Sequence, residues 1–371
     1  MRLTSRLAFL AEAPAGEEVD AGRALGLAPV PLVGPSGRIF AHMLRGAGLA
    51  RADDPPDDWG REFDAIGLRR SMWERSDHWV GNVWPERLED DDLVTLFAPA
   101  TEARRGGWGG AEWHATGLGW LRPHARPALD DLADSLRAFG PDAVVTLGAG
   151  ATWALTGEAA VKLCRGTRMV ATRVVPGIPV YPTLHPAHVI ADFRMLQAVT
   201  DDIERAGRGV ESPPRKLYLE PDLRDMEWWW NTIGSAATLL AVDIETMRGQ
   251  IDCVGFATAT GAICVPFVDW RAPNRSYWPT SASELRAWNA VESWLNSPIP
   301  KCFQYGMYDV AWLWGRMGLR VRNYRHDTLH MQAVHDPEMP RSLAYLGPTY
   351  TTVPGPWKLL NRGGGQEKRN A

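Results

Sequence analysis

The sequence predicts a two-domain protein of the α/β class, and three observations lead to that prediction. The chain has 371 residues, which is more than one hydrophobic core usually organises. Its first half alternates short, continuously apolar segments with amphipathic helical patterns, as in a mainly parallel sheet covered by helices on both faces. In its second half three strand-like segments follow one another before helices return, which indicates a mixed sheet. We therefore expect a doubly wound N-terminal domain and a C-terminal domain built on a mixed sheet.

The first domain is predicted over residues 1–207, and its elements have recognisable signals. Ser36 is placed to open one helix, whereas Pro127 and Gly140 bracket another, because proline favours the first turn and glycine the residue after the last. Continuous apolar runs predict strands that are buried on both faces. The strands lie within residues 6–14, 77–85, 142–148 and 177–186, and the helices within 36–48, 126–140 and 191–207.

A linker is predicted at 208–216, where glycines, charges and two prolines end the helical pattern. The second domain, 217–355, begins with three successive strands that suggest an antiparallel meander. A helix follows, with Ser281 or Ser283 as its N-cap and Glu284 placed for a capping box. The predicted strands lie within 239–246, 251–259, 263–270 and 301–306, and the helices within 281–296 and 308–318.

Composition favours a globular protein of the cytoplasm. Hydrophobic residues make up 45% of the chain and charged residues 23%, which excludes a wholly disordered protein. The net charge of −4 gives no general attraction for nucleic acid, although it is compatible with a local basic cleft. No apolar run reaches the ~18 residues of a membrane span, and the short apolar start lacks the features of a signal peptide. We expect a soluble, intracellular protein without a membrane partner.

Three loops of the first domain carry side chains suited to chemistry on a nucleobase. Glu12 and Glu18 follow the first predicted strand. Asn82 ends the second strand, and His185 follows the last one. Because the carboxyl ends of parallel strands meet at one edge of a sheet, we expect these side chains to converge. A single glutamate or histidine in a loop is usually solvated or structural, so the convergence is what indicates a site.

In their order and spacing, the loops AEAPAGEEVD, GNVWP and TLHPAHVI resemble the motifs of the uracil-DNA glycosylase superfamily, particularly the branch whose first motif reads GEAPG and whose last begins with HP. The resemblance covers most of residues 6–207 and implies a base-excision pocket, in which a carboxylate orients water and hydrogen-bond donors stabilise the departing base. By position, Glu12 matches the carboxylate, with Glu18 as its substitute. Asn82 matches the amide that reads an extruded uracil or modified pyrimidine, and His185 matches the residue that hydrogen-bonds the leaving base.

The resemblance places further residues around the pocket and also shows departures from the family. Pro14 and Gly34 belong to turns that would present backbone N–H groups close to the DNA. The aromatic residue that stacks on the flipped base falls at Leu32, which offers an apolar face without a π surface. Many relatives hold an iron–sulfur cluster with four cysteines, but residues 1–207 contain only Cys164. We therefore expect no cluster.

A second constellation of carboxylates lies after the linker. Asp243 and Glu245 alternate along a predicted strand, so both point to one face of it. Two carboxylates on one face repel each other, and a bound divalent cation would offset this repulsion. Asp309 lies at the start of a later helix, after the segment QYGMY. The pair alone is more often part of a solvated face, whereas the three residues together indicate a metal site.

The three acidic residues and their surroundings resemble the DEDD 3′–5′ exonuclease superfamily, in the form found as the proofreading domain of family A DNA polymerases. The resemblance spans roughly residues 217–355 and implies a ribonuclease H-like fold. It also implies hydrolysis of phosphodiester bonds with two magnesium or manganese ions, held by Asp243, Glu245 and Asp309.

The last motif of that family, a tyrosine or histidine followed a few residues later by an aspartate, has no counterpart in this sequence. A glycine-rich segment, predicted to be a disordered tail, occupies residues 356–371 instead. Without the final carboxylate the second ion should bind weakly, and hydrolysis should fall steeply. We expect the domain to be inactive, or to be completed by another polypeptide such as the remainder of a split family A DNA polymerase.

Three functions are compatible with these residues. The favoured one is a DNA replication or repair protein that recognises or excises uracil and handles primer ends with its exonuclease-like domain. The second is a non-catalytic DNA-binding or polymerase-docking subunit that retains both folds. For both, the expected partner is single-stranded or primer–template DNA. The third is a nucleotide-handling enzyme without a DNA partner, which would prefer mononucleotides.

Overall fold

The computed structural model divides the chain into two compact units. One unit comprises Met1–Ser212 together with Ala344–Ala371, and the other comprises Pro213–Leu343. The domain predicted to continue to residue 355 therefore differs from the second unit at its C-terminal end. The structure describes residues 6–24, 26, 28–29, 31–32, 34–50, 77–89, 92–211, 213–352, 355–357 and 359. Most of the predicted tail lies outside the described residues.

A mainly parallel sheet forms the centre of the first unit. The strands of this unit are β1 (Leu7–Ala11), β2 (His78–Asn82), β3 (Phe97–Ala98), β4 (His114–Ala115), β5 (Gly119–Leu121), β6 (Ala143–Leu147), β7 (Met169–Val170) and β8 (Pro179–Thr183). The central sheet has the strand order β2-β1-β6-β8-β7 and is parallel except where β7 pairs with β8. The short strands β3, β5 and β4 form a separate antiparallel sheet.

The helices of the first unit include the three that the sequence predicts, together with shorter helices that it did not predict. They are α1 (Gly16–Ala24), α2 (Pro35–Gly46), α3 (Ala100–Arg105), α4 (Pro127–Phe139), α5 (Ala149–Thr156), α6 (Val161–Cys164), α7 (Pro186–Ala191) and α8 (Leu196–Gly207). As predicted, α4 begins at Pro127 and is followed by Gly140 in the left-handed conformation, with φ of 65°. Helix α2 differs, because its N-cap is Gly34 and its first residue is Pro35, one residue before the expected Ser36. Proline fits that first position, where its missing N–H would have no intrahelical partner.

The sequence pattern explains the burial of the central strands. All five residues of β1 and all five of β6 are buried, as their continuous apolar runs predicted. Strand β2 is only partly buried and ends in Asn82. The chain therefore builds its first core around β1 and β6 and leaves polar residues at the strand ends.

A mixed sheet forms the second unit. Its strands are β9 (Lys216–Tyr218), β10 (Leu240–Met247), β11 (Gln250–Ala257), β12 (Gly261–Pro266), β13 (Lys301–Phe303) and β14 (Tyr324–Asp327), in the order β14-β13-β10-β11-β12-β9. Strands β10, β11 and β12 form the predicted antiparallel meander, whereas β9, β13 and β14 pair in parallel with their neighbours. The helices are α9 (Leu223–Trp229), α10 (Ser281–Asn296), α11 (Gly306–Met317) and α12 (Thr328–His335). The predicted α/β class is confirmed.

One face of the second sheet is covered by a cluster of aromatic and aliphatic side chains. Trp229 and Trp294 have ring centroids 5.4 Å apart, and Phe256 meets Trp294 edge to face at 5.1 Å. Strand β10 shows why this face is the core, since Val242 and Ile244 are buried while Asp243 and Glu245, which alternate with them, are exposed. Alternation along the strand therefore places the acidic residues on the opposite face.

The last described helix, α13 (Leu343–Tyr350), packs against first-unit residues. The guanidinium group of Arg165 lies 5.3 Å from the ring centroid of Tyr345, and Arg205 donates a hydrogen bond to the carbonyl of Thr351 at 2.6 Å. These contacts explain why the end of the chain groups with the first unit. Within the described residues, no helix combines the length and the apolar character needed to cross a membrane.

Candidate functional site

The first candidate site lies at the carboxyl edge of the parallel sheet. Strands β1 and β2 are in register, with Ala11 opposite Asn82, and β6 and β8 are paired with Leu147 opposite Thr183. Because these strands run in the same direction, the residues that follow them emerge at one edge of the sheet. The loops predicted to converge therefore share that edge.

Glu18 and Asn82 are in direct contact at this edge. The Glu18 side chain on α1 is buried, with 5% exposure, and its Oε1 accepts the backbone N–H of Leu32 at 2.6 Å. The side-chain amide of Asn82 also donates to the Glu18 carboxylate. Burial raises the pKa of Glu18 to about 7, although the hydrogen bonds from Leu32, Ala15 and Asn82 oppose the shift. Glu18 therefore changes its protonation state near neutral pH.

The Asn82 side chain keeps one hydrogen-bonding atom unused. Its Oδ1 atom is buried and has no hydrogen-bond partner among the described residues. Buried polar atoms are nearly always paired, so an orphaned acceptor at a strand end is compatible with a ligand that donates to it. An amide that already donates to Glu18 can accept from an imide or amine N–H group.

Leu32 contributes to this site through its backbone. Its side chain is only 1% exposed, so it belongs to the core and is closed to a stacking base. Its φ of 53° lies in the left-handed region, which is uncommon for a leucine. The carbonyl of Leu32 approaches Gly37 of α2 so closely that any Cβ on that glycine would clash. This strained turn holds the Leu32 N–H against Glu18.

Glu12 lies at the same edge but has a different partner. Its Oε1 accepts the N–H of Gly150 in the first turn of α5 at 2.7 Å, so the carboxylate caps that helix. Burial raises the pKa of Glu12, while the N–H groups of Gly150 and Ala149 oppose the shift. Gly148 precedes the helix with φ of 101°, and a Cβ there would lie 2.6 Å from Glu12 Oε1. Gly148 was not predicted as a site residue, although a glycine between a strand and a helix is a recognisable signal in the sequence.

His185 is held as a neutral imidazole by two features. It is the N-cap residue of α7, and its Nδ1 accepts the N–H of Ala187 at 3.2 Å. Burial lowers the pKa of His185 to about 4. The ring therefore carries its proton on Nε2, which is a hydrogen-bond donor. No hydrogen bond within the described residues joins His185 to Glu12, Glu18 or Asn82.

The two remaining predicted pocket residues shape the backbone. Pro14 is buried in the loop between β1 and α1. Gly34 is the N-cap of α2, and the carboxylate of Glu17 lies so close that a Cβ at position 34 would clash with it. The structure therefore brings Glu18, Asn82 and the Leu32 backbone together, and it places Glu12 and His185 at neighbouring helix starts.

The second candidate site is the acidic face of β10. Asp243 and Glu245 are both exposed on this strand, as the alternating pattern predicted. Asp309, in the first turn of α11, is 4% exposed, and its Oδ1 accepts the backbone N–H of Ile244 at 3.0 Å. Burial, followed by the charge of Asp243, raises the pKa of Asp309 to about 6. Asp309 therefore contacts the backbone of β10 at Ile244, the residue between Asp243 and Glu245, and lies near enough to Asp243 to feel its charge.

The carboxylates do not form the predicted three-ligand metal site. No group of three His, Cys, Asp or Glu side chains among the described residues is arranged to hold one ion. One oxygen atom of Asp309 accepts the Ile244 N–H. Asp243 and Glu245 still offer exposed oxygen atoms of the kind that magnesium and manganese prefer. Two ligands alone provide weak binding.

Residues that the sequence analysis did not assign to the site also fix this region. Thr246 follows Glu245, and its hydroxyl shares a hydrogen bond of 2.5 Å with the hydroxyl of Tyr308. Asp327, which is buried, accepts the N–H of Gly306 at 2.8 Å and the hydroxyl of Tyr324 at 2.6 Å. Asp327 therefore anchors the start of α11, the helix that carries Asp309.

A pocket of about 350 Å³ opens on the same face of the sheet. Asp243, Gly255 of β11 and Cys264 of β12 line it, together with larger apolar residues such as Leu217 and Leu343. Small side chains leave this face open beside the carboxylates, whereas the opposite face is filled by the tryptophan cluster. The acidic face can therefore receive an additional group.

No protein-family model matches the chain, and no curated protein matches it. Among solved structures, the chain is similar to the EXD2 exonuclease domain soaked in Mn and Mg, with 14% identity and a TM-score of 0.25 over 33% of this chain and 61% of that one. It is also similar to the catalytic core of RRP6 from Trypanosoma brucei, with 23% identity and a TM-score of 0.27 over 37% of this chain and 35% of that one. The chain thus spans less than two thirds of either structure. TM-scores of this size do not establish a shared fold, and the function proposed below rests on the residues themselves.

Proposed function

We propose that the second unit is an exonuclease-type domain that binds the 3′ end of a nucleic acid strand and whose hydrolytic site is incomplete in this chain. The observation that supports this proposal is that Asp243 and Glu245 share one face of β10, while Asp309 of α11 is hydrogen bonded to the strand backbone between them. Two of these carboxylates are exposed, and the third is fixed to the strand backbone. Exposed paired carboxylates attract a divalent cation, which in turn attracts a phosphate group.

The missing ligand is proposed to come from another polypeptide. The open pocket beside Asp243 is compatible with this role, because it leaves space for an incoming segment that carries a carboxylate. A DNA polymerase chain is the partner that the resemblance to proofreading domains implies. The second unit would then handle primer ends within a polymerase assembly.

The test is the shortening of a 5′-labelled, single-stranded oligonucleotide in the presence of manganese. We expect the isolated chain to leave the 3′ end intact, because two exposed carboxylates hold a cation weakly. A synthetic helical peptide that contains Tyr-x-x-x-Asp, supplied in trans, should increase shortening in the wild type but not in the Asp243→Asn variant. Robust digestion by the chain alone would refute the incomplete site, and a peptide effect that persists in Asp243→Asn would refute the role of the carboxylates.

We propose a second function for the first unit, namely recognition of a pyrimidine base, with excision of uracil as the favoured reaction. The unpaired Oδ1 of Asn82 supports it, because this atom can accept the imide N–H of an extruded uracil. The neutral His185, with its proton on Nε2, can donate to a base oxygen as negative charge develops there. Glu18 and Glu12 are the carboxylates of this edge.

Release of free uracil from uracil-containing single-stranded DNA tests the second function. We expect release by the wild type and its loss in Asn82→Ala and His185→Ala, whereas His188→Ala, on the same helix as His185, serves as the control. Binding of the DNA without release would favour the alternative of a non-catalytic DNA-binding subunit. Activity that survives in both site variants would exclude Asn82 and His185 from the chemistry.

A further inference from the structure

A strongly basic segment follows Asp309 in this acidic chain. Residues 310–326 contain four arginines and no aspartate or glutamate, although the whole chain has a net charge of −4. The four side chains are exposed, and they are Arg316, Arg320, Arg322 and Arg325. None of them forms an ion pair with another described residue. Their positive charge is therefore available to an external partner.

The same segment exposes an unusual amount of apolar surface. In α11 only Gly306, Asp309 and Leu313 are buried. Met307 is 61% exposed and Trp314 is 52% exposed. A helix that is apolar on every side but buried along one narrow seam indicates a surface that meets a partner.

Two aromatic rings and one guanidinium group follow one another along one face of α11. Tyr308, Trp312 and Arg316 are spaced four residues apart, so they share a face and extend over about 12 Å. The ring centroids of Tyr308 and Trp312 are 6.1 Å apart, and the guanidinium group of Arg316 lies 5.4 Å from the Trp312 ring. A second stack is formed by Arg320, which lies 5.1 Å from the ring of Trp314.

This aromatic stripe begins at the acidic strand. The Tyr308 hydroxyl is hydrogen bonded to Thr246, the residue after Glu245. A polymer bound along the stripe from Tyr308 towards Arg316 would therefore have one end beside the carboxylates. This hydrogen bond joins the first residue of the stripe to the strand that carries Asp243 and Glu245.

We propose that the stripe, defined as Tyr308, Trp312 and Arg316 with the neighbouring Trp314–Arg320 stack, binds single-stranded nucleic acid and directs its 3′ end to the carboxylates. This inference rests on the function proposed for the second unit and names its substrate. Bases stack on exposed aromatic rings without regard to sequence, and arginines pair with the phosphates between them. An acidic polymer with flat bases matches both the charge and the rings, whereas an apolar protein helix would leave the arginines without partners.

The experiment measures binding of a fluorescein-labelled oligo(dT) by anisotropy, with calcium in place of manganese so that no hydrolysis is required. We expect the Arg316→Gln/Arg320→Gln double variant to bind about tenfold more weakly than the wild type, and to show a smaller dependence of affinity on salt. Both side chains are exposed, so folding should be unaffected. Arg275→Gln is the matched control, because Arg275 also stacks on a tryptophan, 5.5 Å from the ring of Trp270, but lies outside the stripe. It should bind like the wild type.

Each outcome decides the proposal. Equal affinity of the wild type and the double variant, or no binding of oligo(dT) and oligo(rU) by the wild type, would overturn the inference. Tighter binding of oligo(dT) than of oligo(rU) would identify DNA as the substrate, and the reverse would identify RNA. Loss of affinity in Trp314→Leu, whose indole is half exposed, would support stacking in addition to charge. If the stripe binds but Asp243→Asn has no effect on cation binding or on cleavage, the inference stands and the proposed nuclease function fails.

Discussion

At the scale of single residues, the buried Glu18 carboxyl links the first site to pH. Its pKa in the folded protein is about 7, compared with a normal value of 4.5. Between these two pH values the folded state binds more protons than the unfolded state, so stability is greatest below pH 4.5 and is lost as the pH rises through 7. The shift corresponds to about 3 kcal/mol of unfolding free energy, because one pKa unit is equivalent to 1.36 kcal/mol.

Substitution of Glu18 by glutamine should remove this dependence. Glutamine cannot ionise, and its amide oxygen can still accept the Leu32 N–H. We expect Glu18→Gln to raise the free energy of unfolding by about 3 kcal/mol at pH 8 and to change it little at pH 4. Urea titrations at pH 8 and pH 4 measure the free energy of unfolding, and Glu17→Gln, which changes an exposed glutamate, is the control. If the free energy of unfolding depended on pH in the same way in the wild type and in Glu18→Gln, the raised pKa of Glu18 would be contradicted.

The residues of the first site were predictable from their positions after strands, but their pairing was not. By the resemblance, Glu12 was the expected carboxylate and Glu18 its substitute. Which of them meets Asn82 depends on the N–H of Gly150, far along the chain, which captures Glu12. The burial of Leu32 likewise follows from a strained turn against Gly37 that no periodicity reveals. The ends of the predicted strands show which residues lie at the edge of the sheet. Which of these residues contact each other depends on hydrogen bonds between segments that are far apart in the sequence.

At the scale of elements, the start of α10 differs from the prediction. The N-cap is Thr280, and its side chain accepts the N–H of Ser283 at 3.1 Å while the Ser283 hydroxyl accepts the N–H of Thr280 at 3.1 Å. The predictions of Ser281 or Ser283 as N-cap, and of Glu284 in the capping box, were wrong. Glu284 instead accepts a hydrogen bond from the hydroxyl of Ser276 at 3.0 Å. Thr280, Ser281 and Ser283 are all suitable N-cap residues, so the sequence alone does not determine which of them caps the helix.

The capping box predicts the effect of removing one hydroxyl. Thr280→Ala leaves the Ser283 N–H without its partner and should lower the free energy of unfolding by about 1 kcal/mol. Ser281→Ala, one residue further along, removes a hydroxyl that is not the cap and should have little effect. Chemical denaturation of the two variants measures the difference. Equal stability of the two variants would contradict the assigned cap.

The larger elements were predictable because their periodicity is strong. The alternating pattern of β10 and the apolar runs of β1 and β6 predicted the burial that the structure shows. The small antiparallel sheet of β3, β5 and β4 was not predicted, since strands of two or three residues carry no pattern. The packing of α13 against first-unit residues was also missed, because it depends on Arg165 and Arg205 of the first unit.

At the scale of the whole molecule, the net charge gives no indication of the basic surface formed by residues 310–326. A net charge of −4 gave no reason to expect nucleic-acid binding, yet residues 310–326 concentrate four arginines without an acidic residue. Local patches, rather than the total, determine where a polyanion binds. The acidic residues of the second unit were predictable from the sequence, whereas the stripe on α11 was not predicted.

The central claim is that the carboxylates of β10 attract a divalent cation to an incomplete nuclease site, and cation binding tests it most directly. Electron paramagnetic resonance of free manganese, titrated into the whole chain, counts the bound ions without the need for turnover. We predict one weak site in the wild type and in Glu292→Gln, which removes an exposed carboxylate of α10, and its loss in Asp243→Asn/Glu245→Gln. Identical manganese binding by all three proteins would contradict the claim.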